Sequence, residues 1–393
     1  MAPAVEPKHY HFEIFKTYTL QSAMSKKRLL IFHPTIAPYR IDFFNDLNRA
    51  FDMRVCLQYW NLRDQTFDYN KIYSQFTFKP HYLKEVLRIG RKSFWGGFAK
   101  HIEAFNPDIV MVSEFDLFTI MIMLYGYIKR KRYKVVSICD DSYNMVAENN
   151  DFSIIHKWLR KWVVPHFDEM ILVEPKVTEW YRAHCGVGYC FPIIKPDDKA
   201  RADYERILPL SRNIAHEHGL TGKRVVLFVG RLVELKNVGT AIRAFSRLNQ
   251  DENVMVIVGD GPERQKLKRI AAELHTNTLF TGRLEGDELN AWYNIATIFV
   301  LPSHTEPFGA VTNEALLAGC YALISKNAGS ASLIEEGVNG FTFPPMDVDE
   351  QSKKMEQLAE KAGRVGDIVL KPNLMPEGYE EKMQQLILHL NSL

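Results

Sequence analysis

Cysteine is scarce and scattered. The five residues Cys56, Cys139, Cys185, Cys190 and Cys320 form no C-x-x-C pair, which excludes a disulfide scaffold or a zinc ribbon and suits a reducing compartment. Long apolar stretches are missing too. The longest, Leu117 to Ile128, runs 12 residues, against the roughly 17–25 that a membrane-spanning helix needs. The first 23 residues hold no continuous apolar stretch after a basic start, so they do not read as a secretion signal. They are expected to form a poorly ordered leader, since Met24-Ser25-Lys26-Lys27 reads like a second start. A cytoplasmic location is expected, with the inner face of the membrane as a candidate place of contact. Overall charge is near neutral at +2 and no nucleic-acid-binding motif is present, so nucleic acid is not an expected partner.

Hydrophobic content of 46% and charged content of 24% are those of a globular protein. A chain of 393 residues suits two domains of about 150–200 residues each. Charge divides unevenly: 27 Lys and Arg stand against 20 Asp and Glu through Lys195, leaving 22 against 27 after it. The halves are therefore expected to meet different partners.

Short β-branched runs alternate with longer helical periods, the pattern of parallel α/β sheets. Strands are expected at Arg28–His33, Met53–Trp60, Asp108–Ser113, Lys134–Cys139 and Glu169–Val173, then at Arg224–Val229, Val254–Gly259, Thr278–Thr281, Thr297–Leu301 and Ala322–Ser325. Helical periods separate them, among them Phe94–Phe105, Leu117–Lys131 and Gly309–Ala318. The segment from Lys195 to Gly222 is polar, contains proline and shows no strand pattern. The expectation is thus an α/β chain of two doubly wound, Rossmann-like domains, 24–195 and 196–375. A C-terminal helix over 376–393 would pack back on the first domain. Ligands of such folds bind outside the carboxyl ends of the strands.

The densest polar set there is Ser303-His304-Thr305-Glu306-Pro307-Phe308-Gly309-Ala310-Val311-Thr312-Asn313-Glu314. A strand ends at Pro302, a loop presents Glu306, and a helix starts near Gly309. Exposed amides at a helix start make a site for an anion. A carboxylate on either side suits a ligand with phosphate in the middle and hydroxyls at both ends, such as a nucleotide sugar. Spacing alone also fits a plain loop residue and a solvated helix face. A second set, Gly230-Arg231-Leu232-Val233-Glu234-Leu235-Lys236, follows a strand and could place two cations on one diphosphate. The third, Val258-Gly259-Asp260-Gly261-Pro262-Glu263, lacks the full G-x-G-x-x-G spacing, because Arg264 stands where the last glycine belongs.

Taken together and in this order, these residues resemble the retaining glycosyltransferases of family 4, which have the GT-B fold. "FVGRLVELKN", "VGDGPE", "FTGRL", "FVLPSHTEPFGAVTNEALLAG" and "EEGVNGF" fall at family-like spacing, closely over Arg224 to about Pro345 and in outline before it. The resemblance implies that Arg231 and Lys236, after Gly230, hold a donor diphosphate and that Glu314 binds the ribose hydroxyls. Glu306 would hold the transferred sugar with the backbone of Phe308, Gly309 and Ala310. The amides near Val311 and Thr312 would face the phosphates, and Arg283 and Leu284 would lie beside the base. The donor would be a UDP- or GDP-linked sugar, with no cofactor and no metal.

The first half departs from the family pattern. Its opening loop is Pro34-Thr35-Ile36-Ala37-Pro38-Tyr39-Arg40 in place of a Gly-Gly pair, and Asp140 stands where many members have a histidine. Asp140 is a candidate catalytic residue that could accept a hydrogen bond from the sugar; Tyr39, Arg40 and Asp141 are acceptor-side candidates. The acceptor is expected to be a glycan or lipid-linked glycan, in cell-surface polysaccharide or glycoconjugate synthesis. Basic and aromatic residues mix at Lys84, Arg88, Arg91, Trp95 and Lys100 and again at Lys157, Trp158, Lys161 and Trp162. Such helices can rest on anionic lipid, although core-facing aromatics and solvated helix ends fit as well. An NAD-dependent oxidoreductase and a non-catalytic glycan-binding protein stay open as alternatives.

Overall fold

The computed structural model describes residues 25–60, 69–89, 92–147 and 154–393. The leader expected over residues 1–23, and Arg91, lie outside them. Among the described residues the strands are β1 (Arg28–His33), β2 (Asp52–Leu57), β3 (His81–Tyr82), β4 (Lys84–Ile89), β5 (Lys92–Gly96), β6 (Ile109–Ser113), β7 (Lys134–Cys139), β8 (Glu169–Leu172), β9 (Tyr189–Cys190), β10 (Arg224–Val229), β11 (Asn253–Val258), β12 (Thr278–Gly282), β13 (Ile298–Leu301), β14 (Tyr321–Ser325) and β15 (Gly340–Phe343). One sheet runs β3-β2-β1-β6-β7-β8-β9 and the other β12-β11-β10-β13-β14-β15. Every pairing within these two sheets is parallel. Helices cover both faces of such sheets, so the central strands are apolar along their whole length. Arg-Val-Val-Leu-Phe-Val and Asn-Val-Met-Val-Ile-Val, the sequences of β10 and β11, are buried almost throughout.

Two local expectations give way to different structure. The helix expected from Phe94 begins at Phe98, because Lys92–Gly96 pairs antiparallel with Lys84–Ile89 as a hairpin. Gly97, at φ 86°, turns the chain from that hairpin into the helix. The polar stretch after Lys195 forms helices Asp197–Arg206 and Leu208–Glu217. Its prolines do not break them: Pro196 caps the first and Pro209 sits in the first turn of the second, where a missing N–H leaves nothing unsatisfied. Beyond β14, β15 and helix Val348–Lys361 extend the second sheet and cover it.

The helix Tyr379–Ser392 crosses back to the first sheet's layer. Its Tyr379 hydroxyl donates to Asp46 at 2.8 Å, His389 lies 2.6 Å from Glu169, and the Lys27 ammonium donates to the Asn391 carbonyl at 2.7 Å. Tyr379 also meets Phe191 edge-on at 6.1 Å, and Phe191 packs on Phe43 at 5.2 Å. Burying a side chain of this size contributes roughly 1.5–3 kcal/mol, so this aromatic chain fastens the C-terminal helix to the first sheet's layer.

Candidate active site

Both sheets reverse their strand order at one place. β1 lies between β2 and β6, and β10 lies between β11 and β13. Connections from the two neighbouring strands leave to opposite sides there, and a crevice opens at the carboxyl ends. The loops leaving β10 and β13 carry Arg231, Lys236 and Glu306; those leaving β1 and β6 carry Tyr39, Arg40 and Glu114.

In the second half, a short 3-10 turn over Glu234–Lys236 ends at Asn237, which adopts a left-handed conformation (φ 51°). The Asn237 amide donates to the carbonyls of Pro302 and Pro345 at 3.2 and 2.7 Å, which ties the β10 loop to the β13 loop. Lys236 and Glu306 consequently form an ion pair, with each side chain 16% exposed. Arg231 is exposed and carries no ion pair among the described residues. The hydroxyls of Ser303 and Thr305, beside this pair, are buried without a hydrogen-bond partner among the described residues. A buried polar atom without a partner is unusual enough to need a reason, and a ligand hydroxyl or phosphate would supply one.

Next comes the turn into helix Val311–Leu317. Gly309 has φ 91°, and a Cβ there would lie 2.7 Å from a Leu301 methyl and 3.2 Å from Glu306 Cγ. Only glycine fits, and the turn leaves the amides of Phe308, Gly309, Ala310 and Val311 without a partner among the described residues. The Thr312 amide is different: it donates to the Gly309 carbonyl at 3.0 Å. The Thr312 hydroxyl is engaged with Ser330 at 2.8 Å. Three residues into the helix, Glu314 receives the Tyr293 hydroxyl at 2.9 Å and an ion pair from Lys195. Burial pulls the Lys195 ammonium down, but Glu314, with Asp42 and Asp203, more than offsets this and holds it above its ordinary value. Arg283 is exposed and bonded to Glu285 at 3.0 Å, while Leu284 is half-buried.

The glycine turn of β11 has a structural task. A Cβ on Gly259 would fall 1.8 Å from the Gly230 carbonyl oxygen, and one on Gly261 would fall 2.4 Å from that of Leu232. The turn packs backbone to backbone on the loop that carries Arg231, and the Leu232 amide donates to the Asp260 carbonyl at 2.9 Å.

In the first half, Arg40 is buried and bonds Asp140 at 2.5 Å, while Asp140 keeps 40% of its side chain exposed. Beneath them, burial, and then the Arg40 charge, pull the His33 imidazole down to about 4. Tyr39 stands exposed beside them. Asp141, unlike its half-exposed neighbour, is buried, and it accepts from Tyr181 at 2.5 Å and Arg160 at 3.2 Å. Arg160 in turn donates to Tyr181 at 2.9 Å. Among the described residues no hydrogen bond or ion pair joins the Asp140 group to the Glu306 group.

Asp140 and Asp141 line a cavity of about 870 Å³ together with Glu114, Trp95, Phe118 and Leu159. Glu114 follows β6 in a left-handed conformation, φ 63°, which is rare for a side-chain-bearing residue and is held only by surrounding structure. Its amide donates to Ile138 at 2.9 Å, and its carbonyl accepts from the Ser137 hydroxyl at 2.8 Å. Burial, with the Asp141 carboxylate close by, pushes its carboxyl up to about 8. Glu114, Cys139 and Asp141 bring three metal-capable atoms within 4.8 Å of one another. The Asp141 oxygen is already held by Arg160 and Tyr181, and the Cys139 thiol donates to Glu114 at 3.1 Å, so the set is internally satisfied. Lys195, Tyr293 and Glu114 are the site residues that sequence reasoning missed. Each is defined by a contact across more than 20 residues, for which no local spacing exists.

Residues 211–366 match the family described as "Glycosyl transferases group 1". Curated relatives include an uncharacterized glycosyltransferase of Methanocaldococcus jannaschii, 32% identical over 39% of this chain and 43% of that protein. A GDP-mannose-dependent alpha-mannosyltransferase of Corynebacterium glutamicum is 34% identical over 38% of this chain and 35% of the relative. The chain thus spans less than half the length of these relatives. Among solved structures, Anabaena HepE in complex with UDP aligns over 93% of this chain and all of its own, with a TM-score of 0.71 at 16% identity. That likeness is one of fold. Residues 211–366 thus match the group 1 glycosyl transferases, within a chain that has the GT-B fold.

Proposed function

We propose that the protein transfers a sugar from a nucleoside-diphosphate donor, UDP- or GDP-linked, to a hydroxyl of a glycan or lipid-linked glycan, with the anomeric configuration retained. One observation carries this reading: the Lys236–Glu306 ion pair stands beside four successive amides without partners among the described residues, at the strand-order reversal of the second sheet. UDP in the Anabaena neighbour and GDP-mannose in the name of the Corynebacterium relative are the two donors in view.

The barrier to such a transfer is charge separation, as an oxocarbenium-like sugar parts from a diphosphate. Arg231, Lys236 and the amides from Phe308 to Val311 would hold the departing anion, in the manner of preorganised donors aimed at developing charge. Binding of the diphosphate would draw Lys236 away from Glu306 and free that carboxylate for the sugar hydroxyls. Glu314 has four lone-pair directions on two oxygens, so it could accept ribose hydroxyls while keeping Lys195 and Tyr293. Arg283 and Leu284 would lie beside the base. Asp140, half-exposed above the 870 Å³ cavity, would meet the sugar and the incoming acceptor; Tyr39 and Arg40 would border that acceptor. The leaving phosphate would take the acceptor proton, a route that calls for no covalent nucleophile and no metal. A cytoplasmic site of action, in polysaccharide or glycoconjugate synthesis, belongs to the same reading.

The test is incubation with UDP- and GDP-sugars and a panel of acceptors, with product followed by anomeric proton coupling in NMR. An α-linked product from an α-linked donor supports the proposal. An inverted product overturns retention, and oxidation of an alcohol with NAD in place of any transfer overturns the whole reading.

A further inference from the structure

Two helices frame the mouth of the large first-half cavity, and both turn apolar residues outward. Helix Leu117–Ile128 contains no charged residue. Its inward face is fixed by buried Phe118, Thr119, Ile122 and Gly126 and by the Tyr133 hydroxyl, which donates to the Ile122 carbonyl at 2.8 Å. Leu117, Leu124, Tyr127 and Ile128 are thereby left exposed, Tyr127 at 85% and Ile128 at 71%. A helix that is apolar all round is ordinarily buried all round; this one is covered on one side only. Helix Ile154–Val163 is held by buried Arg160, through Asp141 and Tyr181. That anchor turns Ile154, Ile155, Trp158 and Trp162 outward, with Ile154 at 88%.

These outward faces run into the cavity itself. Leu117, Ile120 and Met121 line it from one helix, and Ile155 and Leu159 from the other, so apolar surface continues from the interior to the rim and beyond. Basic side chains border the patch: Lys129 and Arg130 follow the first helix, and Lys157 and Lys161 share the outward face of the second. All four are exposed and none has an ion pair among the described residues. Lys161 lies 5.6 Å over the Trp162 ring. Monomeric soluble proteins rarely show a continuous apolar surface of this kind without a partner. Aliphatic and Trp side chains ringed by unpaired cations match the interior and the headgroups of an anionic lipid surface.

We propose that this patch docks on an anionic lipid surface and that the adjoining cavity takes the polar head of a membrane lipid as the acceptor. The docking stands on the patch alone, whereas the acceptor class rests on the transferase reading above. No helix among the described residues is long and apolar enough to cross a membrane, so the contact is peripheral. Catalytic groups on the cavity floor would then meet a headgroup presented from the rim, with its hydrocarbon chain lying along Leu117, Leu124 and Trp158.

The experiment is co-sedimentation of the full chain with phosphatidylcholine vesicles, with and without about 30 mol% phosphatidylglycerol. It compares wild type, Trp158→Ala/Trp162→Ala and Lys157→Glu/Lys161→Glu. Nucleoside-diphosphate binding and thermal stability are measured in the same samples. Wild type is expected to bind the anionic vesicles and to lose that binding in raised salt. Each basic residue brought to such a surface strengthens binding roughly fivefold, so the charge-reversed pair should bind at least about tenfold more weakly. The Trp pair should also lose binding, with nucleotide affinity and stability unchanged in both. Nucleotide binding without vesicle binding overturns the inference and leaves the transferase reading intact. Vesicle binding that both variants retain overturns the assigned surface. A concentration-dependent dimer that the Trp pair disrupts, with no vesicle binding, assigns the patch to a second copy instead.

Discussion

Lys236 and Glu306 are 70 residues apart in sequence and ion-paired in the structure, because Asn237 fastens the loop after β10 to the loop after β13. The pair keeps a cation and a carboxylate half-buried side by side before any donor arrives. Glu306→Gln keeps the size and removes the charge. It is expected to lower transfer roughly a hundredfold, the scale of losing one preorganised electrostatic contact, while nucleoside-diphosphate affinity stays within a few-fold. Steady-state rates set against calorimetric binding check this; a parallel loss of both would move Glu306 from the sugar to the diphosphate.

Glu314 depends on two partners from elsewhere in the chain, Lys195 and Tyr293. Tyr293→Phe removes one bond to a charged acceptor and should destabilise the fold by about 1.5–3 kcal/mol, read from urea unfolding. Glu314→Ala should weaken nucleotide binding and leave Lys195 without its partner. If Tyr293→Phe were neutral, the carboxylate would be held by Lys195 alone.

Gly309→Ala tests the turn that leaves four amides open. An L side chain in a left-handed conformation costs about 1–2 kcal/mol, and its methyl would press on Leu301. The turn must shift, and nucleotide affinity is expected to fall at least roughly tenfold, or about 1.4 kcal/mol. Wild-type affinity in this variant would take the phosphate away from these amides.

Glu114 gives the pH dependence a definite sign. Its carboxyl is raised from 4.5 to about 8 in the folded protein, so between those values the unfolded chain sheds the proton that the native state keeps. The stability this group contributes is full below about 4.5 and is lost as pH rises through about 8. Asp141, Cys139 and Asp140 lie around it and stay the same in Glu114→Gln, which cannot titrate. The melting temperature of the variant relative to wild type should therefore be higher at pH 9 than at pH 5. An equal difference at both values would mean that Glu114 ionises as an ordinary surface carboxylate.

The strands that position the site are legible in the sequence because buried parallel strands read as unbroken β-branched runs; Arg224–Val229 and Lys134–Cys139 are expected and found with the same ends. Glu306, Arg231 and Lys236 are legible for a related reason, since polar residues directly after such runs fall at the strands' carboxyl ends. Tertiary packing decides the rest. The two-residue strand β9 and the β4–β5 hairpin carry too little pattern to be read. Pro196 and Pro209 look like breakers until the helices that start at them are seen. The Gly259-Asp260-Gly261 turn carries only part of a nucleotide-binding fingerprint, and its glycines let one loop lie against another. Lys195 reads as a place to divide the chain, and in the structure its ammonium grips Glu314.

The most direct measurement is thermal stability with UDP, GDP, ADP, dTDP and NAD, each alone, on wild type and Lys236→Ala. A ligand at a hundred times its dissociation constant stabilises the native state by about 2.7 kcal/mol, a shift of several degrees. The expected result is a shift with one nucleoside diphosphate, UDP or GDP, that Lys236→Ala abolishes. A shift with NAD alone, or a nucleoside-diphosphate shift that Lys236→Ala leaves untouched, would contradict the diphosphate site.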